Sequence, residues 1–399
     1  MKTHASTYLI VGGGVAADAA IRAICERETD ADIVLLSDES SLPYHRPALC
    51  KDLITDPNQT IASVIKDSEP YESNVRSYLG RRAIRLEPES SSVVDSQGDI
   101  HRYKKLLLAT GGSPLELPDH SEQLLTYRNL SDYKRLEEKI AMGHRVAVIG
   151  DGFIGSEIAA SLSERNCEPF MIFPHDHLAS NRYPESLSRH LDDVYCSHKI
   201  DLLPGQRVTG IESSGDFLVV VTDGGGRYAA DFAIAGMGIK PNVDLARQAG
   251  LVVKDGIRVN AQLQSSHPNI YAAGDNASAY RKELDRYERL EHEMNAIEMG
   301  QAAGRAMTGD RSISFDYTPL FYSDFFDLGF EAIGDIDSSL DIVEDWQDDL
   351  NQGVVYYLYQ NNVRGVLLWN IFGKTDEARA LMQNGPVTHP TSLKQKITA

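Results

Sequence analysis

The first forty residues alternate apolar and polar segments in a way that predicts a strand, a glycine turn, a helix and a second strand. The apolar run Tyr8 to Val11 leads into three consecutive glycines, and a helical pattern follows from Asp18 to Glu28. A second apolar run, Ile33 to Leu36, completes the unit. Short apolar runs of this kind are typical of buried strands in a parallel sheet.

The glycine turn of this unit has the spacing of a dinucleotide-binding fingerprint. Gly12 permits a tight turn, Gly14 lets backbone N–H groups approach a pyrophosphate, and Ala17 stands in the place of the third glycine. Asp38, about twenty residues beyond the turn, is placed to bind a ribose hydroxyl. Because strands, turn, helix and acid occur together, we favour dinucleotide binding over a turn whose glycines serve conformation alone.

The same pattern recurs in the middle of the chain. The strand Arg145 to Ile149 is followed by Gly150, Gly152 and Gly155, then by a helix and the strand Pro169 to Phe173. This fingerprint has all three glycines, and two such units in one chain are far more specific than one.

Cofactor choice in the second unit depends on the end of its second strand. An acid there would exclude a 2′-phosphate, and an arginine would favour one. His175 occupies this position, with Asp176 beside it and Arg182 nearby. The sequence therefore leaves NADH and NADPH open, with NADH preferred because position 175 is not arginine.

Other stretches predict elements around these two units. The loop Leu42 to Leu53 contains two prolines, so we predict no regular element there, but Arg46 and Lys51 supply cations close to the first turn. The strand Tyr103 to Ala109 ends in Thr110 and Gly111, which would bring backbone close to the same cofactor.

The rest of the chain predicts a hairpin, a strand and a helix, and then a change of composition. The hairpin pairs Phe217 to Thr222 with Arg227 to Phe232 across a glycine turn. A strand ends at Asp275, and a helical pattern runs from Leu290 to Met307. From Asp316 onward, alternating β-branched and aromatic residues predict an antiparallel sheet in a separate domain.

Composition and charge exclude several functional classes. A net charge of −19 argues against nucleic acid and anionic membrane surfaces, although residues 76 to 105 are comparatively basic and residues 312 to 363 contain no Lys or Arg. No apolar run approaches the length of a membrane span, and the start of the chain shows no targeting segment, so we expect a cytoplasmic protein. The four cysteines are widely spaced, which predicts neither a metal site nor a redox-active dithiol.

The order of these motifs resembles the apoptosis-inducing factor-like and ferredoxin reductase-like family of FAD-dependent pyridine nucleotide oxidoreductases. The resemblance is to bacterial-type members, without a targeting segment or long insertion, and covers nearly the whole chain. Its most specific motifs are Leu42 to Pro47 with Lys51, Ala109 to Gly112, Gly150 to Glu157, Ala273 to Asp275, Phe330 to Gly334, and Leu368 to Phe372.

The resemblance implies an α/β fold with two Rossmann-like dinucleotide-binding domains and a C-terminal α+β domain with an antiparallel sheet. The implied FAD domain is discontinuous, at 1–126 and 254–311, the NAD(P)H domain is 127–253, and a C-terminal interface or dimerisation domain is 312–399.

The resemblance also implies residue roles and cofactors. Lys51 and Glu157 would form a catalytic ion pair beside flavin N5. The FAD contacts would be Gly12, Gly14, Ala17, Asp38, Arg46, Lys51, Ala83, Thr110, Gly111, Arg128, Asp275, His292 and Tyr322, where Tyr322 replaces an expected tryptophan. The NADH contacts, with NADPH as the alternative, would be Gly150, Gly152, Phe153, Ile154, Gly155, Glu157, His175, Gly238, Glu291 and Glu331.

The implied activity is that of an FAD-dependent NAD(P)H:acceptor oxidoreductase. Hydride would pass from NADH to the flavin, and electrons would then leave to a small redox protein, a quinone or another small acceptor. The alternative is a redox-sensing scaffold that binds NADH, forms a charge-transfer complex and dimerises to recruit partners. The sequence does not name the acceptor, and a homodimer is one of the expected assemblies.

Overall fold

The chain forms two compact units, each assembled from several separate segments. The computed structural model describes residues 1–66, 69–118, 121–140, 144–282 and 284–398. Unit 1 contains Met1–Arg46, Ile61–Ser113 and Lys240–Pro319, and unit 2 contains Pro47–Thr60, Pro114–Ile239 and Leu320–Ala399. These two units do not correspond one to one with the three domains expected from the sequence, which are an FAD domain, an NAD(P)H domain and a C-terminal interface domain. The boundaries of the three domains stay a prediction.

Unit 1 is built on a seven-stranded sheet. Its central strands are parallel, and the last two strands on one side are added in antiparallel pairs, each with its inner neighbour. In spatial order the strands are Val75–Tyr78, Ile33–Leu36, Thr3–Val11, Ile100–Leu108, Ser92–Asp95 and Ala83–Glu87, with Ile270–Ala272 also paired to Ile100–Leu108.

The core of unit 1 forms where the parallel strands carry continuous apolar runs. Leu9, Ile10 and Leu106 are completely buried. The helix Val15–Cys25 lies against the helix Glu293–Met307, and a Cβ added at Gly304 would lie 2.5 Å from the carbonyl oxygen of Ala20. The absence of a side chain at Gly304 therefore lets the two helices approach closely, and the second helix begins at Glu293 rather than at the predicted Leu290.

Smaller elements complete unit 1. Its second sheet orders the strands Val253–Lys254, Gly256–Arg258, Ala277–Arg281 and Arg286–Glu288. Its remaining helices are Ile61–Val64, Glu69–Ser73 and Asp244–Gln248.

Unit 2 repeats the parallel architecture with five strands. In spatial order they are Asp201–Leu203, Glu168–Ile172, Arg145–Ile149, Phe232–Ala235 and Leu124–Thr126. All four neighbouring pairs are parallel. The helices of this part are Asp52–Thr55, Leu130–Ile140, Phe153–Ser163 and Glu185–Ser197.

Two antiparallel sheets also belong to unit 2. The smaller sheet contains Val208–Ser214, Phe217–Thr222 and Arg227–Ala230. The larger sheet orders Leu320–Phe325, Leu328–Gly334, Asn362–Trp369, Gln352–Tyr359 and Asp341–Asp348, followed by the helix Thr375–Gln383 and the 3₁₀ helix Pro390–Leu393. The two parallel sheets and the C-terminal antiparallel sheet confirm the predicted fold class.

Two local predictions were wrong. The hairpin partner ends at Ala230, and Phe232 instead begins a parallel strand of the other sheet, because Asp231 separates two apolar segments that the sequence joins. The proline-containing loop forms a 3₁₀ helix, Arg46–Cys50, in which Pro47 stands in the first turn, where a proline is tolerated.

The chain passes between the units at five points, three of which lie within short elements. These are the 3₁₀ helix Arg46–Cys50 and the strands Gly112–Pro114 and Ile239–Pro241. Across the described ranges, no helix combines the length and apolar character of a membrane span.

Candidate functional site

The first glycine turn of unit 1 is shaped by the approach of two backbone segments. Gly12 has φ +115°, and an added Cβ would overlap the carbonyl oxygen of Ala109. Gly14 is the N-cap of the helix Val15–Cys25, and no described side chain caps this helix. Its first N–H groups are therefore available to an anion, which favours a phosphate at this position.

Thr110 and Gly111 lie beside this turn in a small hydrogen-bond network. The Thr110 hydroxyl donates to the carbonyl oxygen of Asn242 at 2.6 Å, and the Asn276 amide donates to the Thr110 oxygen at 2.9 Å. Gly111 has φ +60° and accepts from the Asn242 N–H at 2.9 Å. Asn276 is fully buried, and its side-chain oxygen has no partner among the described residues, so it is free to accept from a ligand.

Two acids follow the second strand of the first unit, and they have different surroundings. The predicted ribose ligand Asp38 is 55% exposed and lies 3.5 Å from Arg82. Glu39, which the sequence reasoning passed over, accepts from Arg46 at 2.7 Å and from the Tyr44 hydroxyl at 2.6 Å. A Cβ added at Gly14 would lie 4.0 Å from the Arg46 guanidinium, so Glu39 holds this cation at the turn.

Arg46 keeps its positive charge in this environment. Burial alone would lower the pKa of Arg46, but the surrounding Tyr44, Glu39 and Asp275 outweigh burial and raise it. A permanently charged guanidinium beside a helix N-terminus suits a pyrophosphate.

The other predicted ligands in unit 1 are placed at the same ends of its elements. Asp275 is buried and follows the strand Ile270–Ala272. His292 is the N-cap of the helix Glu293–Met307. Glu291 is exposed and paired with Arg289 at 2.7 Å, and Ala83 begins a strand and is half-buried.

The second glycine turn, in unit 2, has the same close backbone approach. Gly150 has φ +104°, and an added Cβ would lie 2.5 Å from the carbonyl oxygen of Gly236. An added Cβ at Gly155 would overlap the carbonyl oxygen of Gly150. Gly152 is the N-cap of the helix Phe153–Ser163, whose start no described side chain caps. This turn therefore also leaves N–H groups for a phosphate.

The loop that follows the second strand of unit 2 is fixed by Asp151. This residue of the turn is 5% exposed and lies 2.7 Å from His175 Nδ1. It also accepts from the Ala179 N–H at 3.0 Å. Asp151 thus orients His175, through a contact that the sequence pattern did not reveal.

Arg182 and Phe153 form the next layer of this site. The Arg182 guanidinium lies 4.7 Å from the centre of the Phe153 ring and donates to the carbonyl oxygen of Asp151 at 3.0 Å. Its Nε is buried and has no hydrogen-bond partner among the described residues. The Phe153 ring lies 5.5 Å from Phe321 and 6.4 Å from Phe330. A cavity beside Phe153 is lined by Ser156, Arg182, Tyr183 and Phe330.

Lys51 and Glu157 meet in unit 2. Lys51 Nζ lies 3.1 Å from Glu157 Oε1 and 2.7 Å from Asp324 Oδ1. Both partners are largely buried, with side-chain exposures of 12% for Lys51 and 8% for Glu157. Although burial would lower the pKa of Lys51, Glu157 and Asp324 outweigh it and raise this pKa.

The Glu157 carboxylate has two further donors, which the sequence did not indicate. The Cys50 thiol donates to Oε2 at 2.8 Å, and the Ser323 hydroxyl donates to Oε1 at 2.6 Å. For Cys50, its position directly before Lys51 was the one feature of the sequence that could have indicated this contact. Ser323 belongs to a strand about 170 residues away in sequence, so nothing near Glu157 indicated its contact. Burial, followed by the charge of Glu157, raises the pKa of Cys50 well above its usual value.

The remaining predicted residues of unit 2 have separate positions. Tyr322 and Glu331 face each other across neighbouring strands, and the Tyr322 ring lies 5.7 Å from Lys51 Nζ. Gly238 accepts from the Leu115 N–H at 2.9 Å. Ile154 is 39% exposed, and the Arg128 N–H donates to Asp132 at 2.8 Å.

The structure divides the predicted FAD contacts between the two units. Lys51, Arg128 and Tyr322 belong to unit 2, and the other predicted FAD contacts belong to unit 1. Glu291 belongs to unit 1, and the other predicted NADH contacts belong to unit 2. No group of His, Cys, Asp or Glu in the described part of the chain could hold a metal ion.

Comparison with known proteins identifies the family. Residues 6–300 match the family described as pyridine nucleotide-disulphide oxidoreductase. The chain belongs to this family. Residues 342–384 also match the C-terminal region of the mitochondrion-associated apoptosis-inducing factor family.

Two curated relatives and one solved structure extend the match over most of the chain. Apoptosis-inducing factor 1 of Dictyostelium discoideum is 31% identical, over 94% of this chain and 78% of the relative. The ferredoxin–NAD(+) reductase component of the anthranilate 1,2-dioxygenase system of Burkholderia cepacia is 30% identical, over 83% and 82%. Putidaredoxin reductase, in its covalent complex with putidaredoxin, superposes with a TM-score of 0.90 at 26% identity, covering 98% of this chain and 96% of that chain.

These matches confirm the predicted family and enzyme class. As a pyridine nucleotide-disulphide oxidoreductase, the chain is an FAD-dependent NAD(P)H oxidoreductase. The roles of the individual residues stay predictions.

Proposed function

We propose that this chain oxidises NADH and passes the electrons, through FAD, to a ferredoxin-type protein. The observation that carries the proposal is the buried ion pair of Lys51 and Glu157, because Glu157 lies in the second turn of the helix that follows the second glycine turn. Burying an ion pair costs desolvation energy, and a buried pair this close to a glycine turn that fits a nucleotide favours a functional role.

The residues of unit 1 fit FAD. The uncapped N-terminus at Gly14 and the guanidinium of Arg46 suit its pyrophosphate. The acids after the second strand suit its ribose, and Glu39 is a second candidate beside Asp38. The unsatisfied oxygen of Asn276 and the buried Asp275 supply further polar groups.

The residues of unit 2 fit NADH. The N-terminus at Gly152 would bind the pyrophosphate, and His175, oriented by Asp151, would contact the adenosine ribose. Position 175 is not arginine, which supports NADH over NADPH. Phe153, held against the guanidinium of Arg182, would cover the reacting ring until the nicotinamide displaces it.

The bound flavin supplies the hydride acceptor and the capacity to release electrons singly. Lys51 would donate a hydrogen bond to the flavin from a fixed position, because Glu157 and Asp324 hold its ammonium group. Glu157 in turn is held by Lys51, Ser323 and Cys50. Such fixed side chains orient the reacting groups without reorganisation during the reaction.

A ferredoxin-type acceptor is favoured by two relatives. The Burkholderia cepacia relative is named a ferredoxin–NAD(+) reductase component, and the matched structure is a reductase bound to putidaredoxin. Four of the five arginines in the basic stretch 76 to 105 are paired with acids, which reduces the free charge that this stretch offers for docking. These pairs are Arg76 with Asp32, Arg81 with Asp95, Arg82 with Asp38, and Arg85 with Glu87.

The proposal includes a cytoplasmic homodimer with the three domains predicted from sequence. The four cysteines are unpaired, which suits a reducing compartment. Tyr359 and Phe372 in the C-terminal region are 55% and 62% exposed, which suits a dimer surface. Light scattering of the purified protein measures the assembly, and a monomer at micromolar concentration would remove the dimer from the proposal.

The acceptor is tested by steady-state turnover with NADH and a panel of acceptors. The panel contains a [2Fe–2S] ferredoxin, a rubredoxin, a soluble quinone and molecular oxygen. We expect the highest kcat/KM with the ferredoxin and a dependence of KM on ionic strength. The variant Glu185→Ala, which removes one member of an exposed ion pair, serves as the control.

A further inference from the structure

We propose that Cys50 is a positioning residue whose thiol orients the Glu157 carboxylate toward Lys51. This inference rests on the proposed function, because it concerns the same ion pair. Both groups are nine-tenths buried or more, with exposures of 1% for Cys50 and 7% for Glu157. The thiol donates to Oε2 at 2.8 Å, while Lys51 lies 3.1 Å from Oε1.

The two oxygens of Glu157 have different partners, and this difference fixes the rotation of the carboxylate. Oε1 accepts a hydrogen bond from the Ser323 hydroxyl and lies beside the Lys51 ammonium group. Oε2 accepts a hydrogen bond from the Cys50 thiol. Rotation of the carboxylate would break several of these contacts together. Without the thiol, Oε2 would lose the donor that it has among the described residues, and their contacts would hold the carboxylate through Oε1.

The thiol of Cys50 has one hydrogen and two acceptors within reach. The Cys50 sulfur lies 2.8 Å from Glu157 Oε2 and 3.3 Å from the carbonyl oxygen of Pro47. A charged, closer acceptor forms the stronger hydrogen bond. The Glu157 carboxylate is therefore the preferred acceptor of the thiol hydrogen.

The position of the Cys50 backbone is itself fixed. The Ser161 hydroxyl donates to the Cys50 carbonyl oxygen at 2.8 Å, from the same helix that carries Glu157. The high pKa of the buried thiol keeps it protonated, so it stays a donor and is a poor nucleophile. These features suit a fixed hydrogen-bond donor better than a redox-active cysteine.

The experiment compares Cys50→Ala, which removes the donor, with Cys50→Ser, which keeps one. The holoenzyme is mixed anaerobically with increasing NADH, and flavin reduction gives a limiting rate and an apparent Kd. For Cys50→Ala we expect a limiting rate about 3- to 10-fold lower, with an unchanged Kd, as loss of one hydrogen bond would give. Cys50→Ser should recover most of this rate. Cys167→Ala, which removes another buried thiol, is the matched control and should behave as wild type.

A second readout does not depend on activity. The infrared S–H stretching band that disappears in Cys50→Ala should lie at the low frequency of a strongly bonded thiol. In Glu157→Gln the band should move toward the frequency of a free thiol, because a neutral amide oxygen is a weaker acceptor than a carboxylate.

The outcomes separate this inference from the proposed function. Reduction of wild type by NADH, together with equal rates in Cys50→Ala and a free-thiol band, would overturn the positioning role and leave the function standing. Equal losses of rate in the alanine and serine variants, with full FAD content, would also overturn it. A wild-type holoenzyme that NADH does not reduce would overturn the proposed function and this inference with it.

Discussion

Lys51 Nζ lies 3.1 Å from Glu157 Oε1, and the side chains of both residues are largely buried. Removing one member of such a pair leaves an uncompensated buried charge. Each single substitution should therefore lower the rate of flavin reduction, and the two effects should not be additive in the double variant. We expect Lys51→Ala and Glu157→Ala each to slow flavin reduction by NADH, with a coupling of about 0.5–3 kcal/mol in the double-mutant cycle.

The matched control for this cycle is the exposed pair of Arg189 and Glu185, whose atoms lie 2.6 Å apart. The single and double alanine variants of this control pair should reduce the flavin at the wild-type rate, because an exposed ion pair contributes little interaction energy. Additive effects of Lys51→Ala and Glu157→Ala on the reduction rate would contradict a joint role.

The turn at Gly12 should be indispensable for FAD retention. Gly12→Ala adds a Cβ that overlaps the carbonyl oxygen of Ala109, whereas Gly250 has φ +75° and no atom within 4 Å of an added Cβ. We expect Gly12→Ala to lose most of its FAD, and Gly250→Ala to keep it at a stability cost of about 1–2 kcal/mol. FAD content per chain measures this, and equal content in the two variants would contradict the assignment of the turn.

Cofactor choice should depend on His175 and Asp151 together. We expect wild type to favour NADH over NADPH by about 2- to 10-fold in kcat/KM, which corresponds to roughly one hydrogen bond. His175→Glu alone would place a carboxylate beside Asp151, which lies 2.7 Å from His175. The double change His175→Glu with Asp151→Asn should therefore sharpen the NADH preference more than the single change. A higher kcat/KM with NADPH in wild type would refute the NADH preference.

Acid stability should depend on Asp95, a fully buried carboxylate outside the nucleotide sites. Its oxygen lies 3.0 Å from His101 and 3.1 Å from Arg81. Burial acts to raise its pKa, but the hydrogen bonds from His101, Arg81 and the backbone outweigh burial and lower the pKa to about 2.

Because the pKa of Asp95 is lower in the folded chain than in the unfolded one, its stabilising effect is present above about pH 4 and is lost as the pH falls toward about 2. We expect the free energy of unfolding of Asp95→Asn to lie below that of wild type by a constant amount between about pH 5 and 7, and the gap to shrink below about pH 4. Urea denaturation measures both chains, and a gap that is as large at about pH 3 as at about pH 6 would contradict this.

The fold was largely predictable because its signals are local. The strands Ile33–Leu36 and Arg145–Ile149 are buried, except at Arg145, as parallel strands covered on both faces are, and their bounds agree with the sequence pattern. The predicted hairpin strand extended wrongly to Phe232, because two apolar segments that belong to different sheets are adjacent in sequence.

Much of the candidate site could not be predicted, because its contacts join residues that are distant in sequence. The glycine turns follow from spacing, and Lys51 and Glu157 followed from a family resemblance. Ser323 reaches Glu157 from a strand in the C-terminal sheet, and no pattern near Ser323 indicates this. Asp151 lies between the first two glycines of the fingerprint, at a position where the fingerprint specifies no residue type. Its hydrogen bond to His175 could therefore be found only from the structure.

The measurement that tests the central claim most directly is a sequential anaerobic stopped-flow experiment on the FAD-loaded protein. NADH is mixed first, and an oxidised [2Fe–2S] ferredoxin is mixed second, while the flavin absorbance is followed. We expect rapid loss of flavin absorbance with NADH, slowed in Lys51→Ala, and rapid recovery when the ferredoxin is present in at least two equivalents, since each [2Fe–2S] cluster accepts one electron. Flavin that NADH does not reduce, or reduced flavin that persists after the ferredoxin is added, would contradict the central claim.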